Sequence, residues 1–179
     1  MMPDRSVNQR AALTFDLKRI MNDVAPQSAD HANVIGYPPL IALACAALGG
    51  LVHYFWPVSV APRPVAWTLA GIAGVASMSL ALWGAWQLKH AGTAIDPYGS
   101  SSAIVTSGPY AYSRNPLYIA IGLLFAALAL ACNSVAMLGM LPPWFVVMHF
   151  GVVLREERYL AAKFGATYTA YQRRVRRWL

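Results

Sequence analysis

Hydrophobic and polar positions along this chain separate into blocks instead of alternating. No Asp, Glu, Lys or Arg occurs from His31 to Pro62, from Pro64 to Leu88, or from Asn115 to Leu154, blocks of 32, 25 and 40 residues. The first predicts a helix from about Pro39 to Trp56, ended by Pro57, and the second predicts one from about Val65 to Gln87. The third is too long for one span, and Asn133-Ser134 divides it into Leu117–Cys132 and Ser134–Leu154. Pro39, Pro64 and Pro116 stand at or near three of these starts, where a missing N–H costs nothing. The third span is short, since its 16 residues rise about 24 Å against a hydrocarbon core of about 30 Å. It is expected to lean on its neighbours or to thin the bilayer locally. Pro142-Pro143 should kink the fourth span near its middle, and Ala70, Gly74, Ser77 and Ala81 suit close helix packing in the second.

The flanks read differently. Leu13, Leu17, Ile20 and Val24 recur at helical spacing with charges between them, predicting an amphipathic helix in the membrane interface. At the other end Tyr168, Tyr171, Val175 and Trp178 fall on one helical face among Arg173, Arg174, Arg176 and Arg177, which predicts an interfacial anchor drawn to anionic lipid.

Composition raises this pattern to a class. Hydrophobic residues make up 58% of the 179 and charged residues 12%, with a mean hydropathy of +0.44. A soluble globule cannot hide that much apolar surface, so soluble enzymes, nucleic-acid-binding domains and disulfide scaffolds are excluded. The expected fold is an all-α integral membrane protein: a four-helix transmembrane bundle with N- and C-terminal interfacial helices and no Rossmann domain. Its organisation divides into an amphipathic segment 1–33, the first two spans in 34–88, and a loop, hairpin and basic helix in 89–179. With four spans, 13 of the 14 basic residues and all seven acidic ones fall on one side. The positive-inside rule makes that side, and both termini, cytoplasmic. Cys45 and Cys132 lie inside predicted spans and the four histidines are scattered, so neither a disulfide nor a metal site is expected.

Two stretches exceed what a passive bundle needs. The loop 100–118 reads SSSAIVTSGPYAYSRNPLY, combining hydroxyls, a Gly-Pro turn, three tyrosines and Arg114. Residue 115 is expected to be extended because a proline follows, so the loop can offer backbone groups to a ligand. The second stretch is Arg155-Glu156-Glu157-Arg158 at the end of the fourth span, where carboxylates are costly unless partnered. Adjacent helical positions point about 100° apart, so one glutamate is expected to face inward and the other water. No dinucleotide fingerprint, phosphate-binding glycine loop or Ser/His/Asp order is present.

Four segments in order carry a family resemblance: Val105–Tyr110 (VTSGPY), Ser113–Tyr118 (SRNPLY), Arg155–Leu160 (REERYL), and Phe164-Gly165 followed by Tyr168, Tyr171 and Val175. Together they resemble the isoprenylcysteine carboxyl methyltransferase family, within the wider group that includes phospholipid methyltransferases. The resemblance covers about residues 88–179. It implies a membrane methyltransferase binding S-adenosyl-L-methionine without a Rossmann fold. Carried over by position, the cofactor contacts are Ala103, Ile104, Val105, Tyr110, Asn115, Pro116, Leu117, Tyr118 and Glu156, and the catalytic set is Glu156, Glu157 and Arg114. The implied partners are membrane lipids and a lipid-like or small-molecule methyl acceptor of the isoprenylcysteine carboxylate or phospholipid amine type. Isoprenylcysteine enzymes carry His where this chain has Asn115, and Arg where it has Val152, which moves the comparison toward an amine acceptor. A small-thiol methyltransferase and a non-enzymatic four-span lipid-binding or scaffold protein remain as alternatives.

Overall fold

The computed structural model describes residues 32–96 and 98–179. The expected amphipathic helix around Leu13, Leu17, Ile20 and Val24 lies outside the described residues. Among those residues every regular element is helical, apart from one isolated bridge between Ser113 and Arg176.

Helix α1 (Pro38–Phe55) and helix α2 (Arg63–His90) both carry proline in their first turn. Helix α2 runs past the apolar block at both ends, so that Arg63, Lys89 and His90 sit in its terminal turns. At the C-terminal end such cations are favoured by the helix dipole. Helix α3 (Pro116–Ala131) is as short as expected, and it lies along α2. Small residues let the two backbones approach. Ser77 Oγ donates to the Ala120 carbonyl at 2.7 Å in a buried bond, and Gly74 stands opposite Ala127.

The Asn133 turn is held by its own side chain. Asn133 adopts φ 50°, a left-handed conformation that asparagine tolerates better than most residues. Its Oδ1 accepts from the Val60 and Ala61 N–H groups at 3.0 and 3.2 Å, and its Nδ2 donates to the Ala61 carbonyl at 2.9 Å. Ser134 then caps helix α4 (Val135–Gly139) by accepting from Met137 N at 3.1 Å.

The expected fourth span is more broken than a single kinked helix. It comprises α4, helix α5 (Leu141–Met148), a π-helical turn His149–Val153, and helix α6 (Leu154–Phe164). The break falls at Met140, ahead of Pro142-Pro143, because prolines are accommodated in the first turn of a new helix and not inside an old one. In the π turn Val152 and Val153 are fully buried, and the Gly151 carbonyl accepts the Ile35 N–H at 3.1 Å. That bond ties the segment before α1 to the fourth span.

Helices α1 and α2 and the Val135–Phe164 stretch are long and apolar enough to cross a bilayer, and α3 is a shorter apolar helix. Their outer faces expose large apolar side chains such as Ile72 and Val75, 62% and 69% accessible. The core between them is built from Tyr118, Phe125, Trp144, Met148, Val152 and Val153. This is an all-helical integral membrane protein.

After α6 the chain turns at Gly165, whose φ of 52° suits a residue without a Cβ, and enters helix α7 (Ala166–Arg174). The predicted helical anchor through Trp178 is overturned here. Val175 is extended and residues 175–178 leave the helix to meet the loop before α3.

Candidate active site

The connection from α2 to α3 forms one wall of a recess. Its start is tied down by side chains: Ser102 N donates to Thr93 Oγ1 at 3.1 Å, and Ser102 Oγ donates to the Gly92 carbonyl at 2.8 Å. Ala103, Ile104 and Val105 follow without helix or strand, and among the described residues their backbone groups make no hydrogen bond. Gly108 turns the chain at φ 59°, where an added Cβ would meet Gln87 at 2.6 Å. A single 3-10 turn, Gly108–Ala111, then buries Tyr110. Its carbonyl accepts from the Tyr171 hydroxyl at 2.7 Å, which joins α7 to the loop.

The next residues join the loop to the C-terminal segment. Arg114 N donates to the Arg176 carbonyl at 3.0 Å, and Asn115 Nδ2 donates to the Arg177 carbonyl at 2.8 Å. Asn115 leaves the helical region, as a residue before proline must, at φ −129° and ψ 50°. That conformation is less extended than expected.

The two adjacent glutamates both turn inward, which corrects the expectation that one faces water. The Tyr118 hydroxyl donates to Glu156 Oε2 at 2.7 Å. Glu157 is buried between two guanidinium groups. Arg177 donates from Nε and Nη2 to its two oxygens at 3.0 and 2.9 Å, and Arg114 Nη1 lies 3.1 Å from Oε1. The fork-to-fork geometry supplies what water would otherwise supply, so burial of this carboxylate is tolerated. Arg114 Nε is buried with no partner among the described residues.

All eleven residues singled out in the sequence line this one recess: Ala103, Ile104, Val105, Tyr110, Arg114, Asn115, Pro116, Leu117, Tyr118, Glu156 and Glu157. It draws them from the loop, the start of α3 and the start of α6. Sequence reasoning missed the contributions of Ile95, Asp96, Tyr159 and Leu160, and it placed Tyr168 and Tyr171 at the lipid surface. Their i, i+3 spacing was visible, but the same spacing serves an inward face and an interfacial one. Arg177 was hidden among four similar arginines.

The electrostatics separate donors from charges. Burial pushes the phenols of Tyr110 and Tyr168 well above the usual tyrosine range, with Glu156 adding to the first and Glu157 to the second. Burial also pushes Tyr171 up to about 12, against an opposing pull from Arg114. These three remain neutral hydroxyls at neutral pH. With Glu157 balanced by two cations, Glu156 and the exposed Asp96 are the lining carboxylates that could meet a cationic ligand group, and Arg114 Nε is a donor that could meet an anionic one. Among the described residues no three His, Cys, Asp or Glu side chains form a metal-binding group.

A second, mostly apolar groove adjoins the recess. It runs between the start of α1, α2 and α3, is lined by Tyr37, Pro38, Ser77, Ala81, Leu117 and Ile121 among others, and shares Ile95, Asp96, Leu117 and Tyr118 with the recess.

Comparison with known proteins gives a coherent result. A 75-residue stretch is 35% identical to the cobalt-zinc-cadmium resistance protein CzcN of Cupriavidus metallidurans, covering 42% of this chain and 34% of that protein. A 47-residue stretch is 47% identical to an uncharacterised protein of Haemophilus influenzae, covering 26% of this chain and 73% of the other. The chain thus matches about a third of the length of the first relative. No solved structure matches. Residues 65–167, more than half of the chain, match the model of the phospholipid methyltransferase family, and the chain belongs to that family, within the isoprenylcysteine/phospholipid methyltransferase group.

Proposed function

We propose that this membrane methyltransferase uses S-adenosyl-L-methionine held in the recess at the start of α3 and α6, and methylates an acceptor that reaches it from the bilayer through the adjoining groove. The observation that carries the reading is the convergence of residues from separate sequence segments on one recess. The donor set fits the cofactor's chemistry. A zwitterion with an ammonium, a carboxylate and a sulfonium calls for a carboxylate, a cationic donor and electron-rich faces. Glu156, the unpartnered Nε of Arg114, and the rings of Tyr110 and Tyr118 supply those types. The unpaired backbone of Ala103–Val105 offers further donors and acceptors to an adenosine-like group.

When bound, the cofactor supplies a methyl group on a sulfonium leaving group. The chain's own work is positional. Tyr118 orients Glu156, the Glu157–Arg114–Arg177 cluster fixes the loop against α6, and the buried tyrosines exclude water from the space between cofactor and acceptor. The basic-residue distribution supports a recess and termini on the cytoplasmic side, where a soluble cofactor is available.

Isothermal titration of the purified protein with S-adenosyl-L-methionine and with its demethylated product tests this reading. The expected result is binding of both, weakened by at least about ten-fold in Glu156→Gln, as follows when a charge-assisted hydrogen bond is lost. Absence of binding at millimolar cofactor would sink it and favour a lipid-binding scaffold.

A further inference from the structure

We propose that Tyr159 and Lys163 are positioning residues that hold the Ala103–Val105 wall against α6, and that this hold sets how tightly the adenosine end of the cofactor is kept. The inference rests on the cofactor reading above and deepens it. Glu156, Tyr159 and Lys163 stand at i, i+3 and i+7 of α6, the spacing of one helical face. Glu156 and Tyr159 both line the recess. The face that brings Glu156 to the recess therefore carries Tyr159 and Lys163 one and two turns further on.

That pair reaches across to the connection from α2. Lys163 Nζ donates to Ser100 Oγ at 2.9 Å and to the Tyr159 hydroxyl oxygen at 3.1 Å. The Ser101 N–H donates to the same phenol oxygen at 3.4 Å. The ammonium also lies 5.5 Å from the centroid of the Tyr159 ring, within cation–π range. One phenol oxygen thus joins α6 to Ser101, and the lysine beside it joins α6 to Ser100.

The segment has little else to hold it. Among the described residues, 101–106 make no backbone-to-backbone hydrogen bond. Ser102 is tied to Gly92 and Thr93, on the α2 side where the segment begins. The bonds to Tyr159 and Lys163 tie it to the opposite side. Ser101, Ala103, Ile104 and Val105 all line the recess, so the hold acts two residues from the unpaired backbone assigned above to the adenosine end. A segment released from α6 would have to be ordered as the cofactor binds, and that entropy would be subtracted from its affinity.

The test titrates the purified wild type and its variants with S-adenosyl-L-methionine, with its demethylated product, and with methylthioadenosine, which keeps the adenosine and lacks the amino-acid end. Tyr159→Phe removes only the phenol oxygen. It is expected to weaken all three ligands by one factor, roughly three- to ten-fold, expressed in faster dissociation. The thermal midpoint should not move, since these bonds are exposed or half-buried. Lys163→Met should act alike, Lys163→Arg should restore most of the affinity, and the Phe and Met losses should be less than additive when combined. Glu156→Gln should weaken the first two ligands and spare methylthioadenosine. Unchanged affinities in Tyr159→Phe overturn the proposal, as does a loss confined to the ligands with an amino-acid end. A midpoint that falls in step with the affinities also overturns it, because the pair would then support the fold and not the wall. Methylthioadenosine that fails to compete in a wild type that binds S-adenosyl-L-methionine overturns it while leaving the cofactor reading intact. Absence of binding by any ligand marks the cofactor reading as the one that fell.

Discussion

Removing one guanidinium from the buried cluster separates a built clamp from a lipid anchor. In Arg177→Gln, Glu157 loses contacts of 3.0 and 2.9 Å and keeps Arg114 at 3.1 Å. Breaking a fully buried ion pair costs about 3–5 kcal/mol. Here the Arg177 side chain is 34% exposed and Glu157 retains a second cation, so a discounted loss of roughly 1–2 kcal/mol is appropriate. For a chain of this size that corresponds to a fall of roughly 3–6 °C in apparent midpoint, read as a ranking of variants in one detergent at one scan rate. The backbone carbonyl of Arg177, which holds Asn115, is untouched by the substitution. Arg173, Arg174 and Arg176 are exposed, and their Gln variants should shift the midpoint by less than about 0.5 kcal/mol equivalent. In a Glu157→Gln background the Arg177 substitution should lose most of its effect, because the partner charge is gone. Equal shifts from all four arginines, with equal losses of retention on anionic vesicles, would refute the clamp and restore the anchor.

Tyr118→Phe removes the 2.7 Å bond to Glu156 and should weaken S-adenosyl-L-methionine binding about ten-fold by titration; unchanged affinity would contradict the role given to that pair. Asn133→Ala deletes three hydrogen bonds at the far turn and should cost about 2–4 kcal/mol of stability with cofactor affinity unchanged, since Asn133 does not line the recess. Tyr171, pushed up to about 12 by burial, keeps its proton in the folded state when the unfolded chain has lost it near pH 10. Its contribution is therefore present below about pH 10 and lost as pH rises toward 12. Ultraviolet titration should show a late-ionising phenol that disappears in Tyr171→Phe, and a Tyr171 that ionises at the ordinary tyrosine pH would refute it.

Much of the fold was legible because charge is nearly absent where hydrocarbon is expected. The charge-free blocks locate α1, α2 and α3 to within a few residues, since a charged side chain can extend a span only by reaching the interface, and Arg63 and Lys89 lie in the terminal turns of α2 where that is feasible. Pro142-Pro143 marked a disruption of the fourth span, but neither its form as a full break at Met140 nor the π turn at His149–Val153 was legible. An unbroken apolar run looks the same whether its backbone is α or π, and the turn depends on Ile35 supplying a donor to Gly151 from far along the chain. In the site, the loop from Ala103 to Tyr118 stood out by its hydroxyls, turn residues and tyrosines. The C-terminal arginines carried no such mark. Four basic residues in one tail are alike until the Ser113–Arg176 bridge brings one of them over Glu157.

The pairing of Glu157 also explains how two neighbouring carboxylates can do different work. At a membrane boundary, two adjacent negative charges would suppress each other's ionisation and bind a cation poorly as a pair. The fold resolves this with an imbalance of partners. Glu157 receives two guanidinium groups and becomes part of the scaffold, while Glu156 receives a single phenol and no guanidinium. Arg177 comes from beyond the family-matched residues 65–167, so the segment that completes this division lies outside the part of the chain that identifies the family. Sequence motifs mark the residues facing the recess. The groups that let those residues face it are supplied by whatever the tail folds back to deliver.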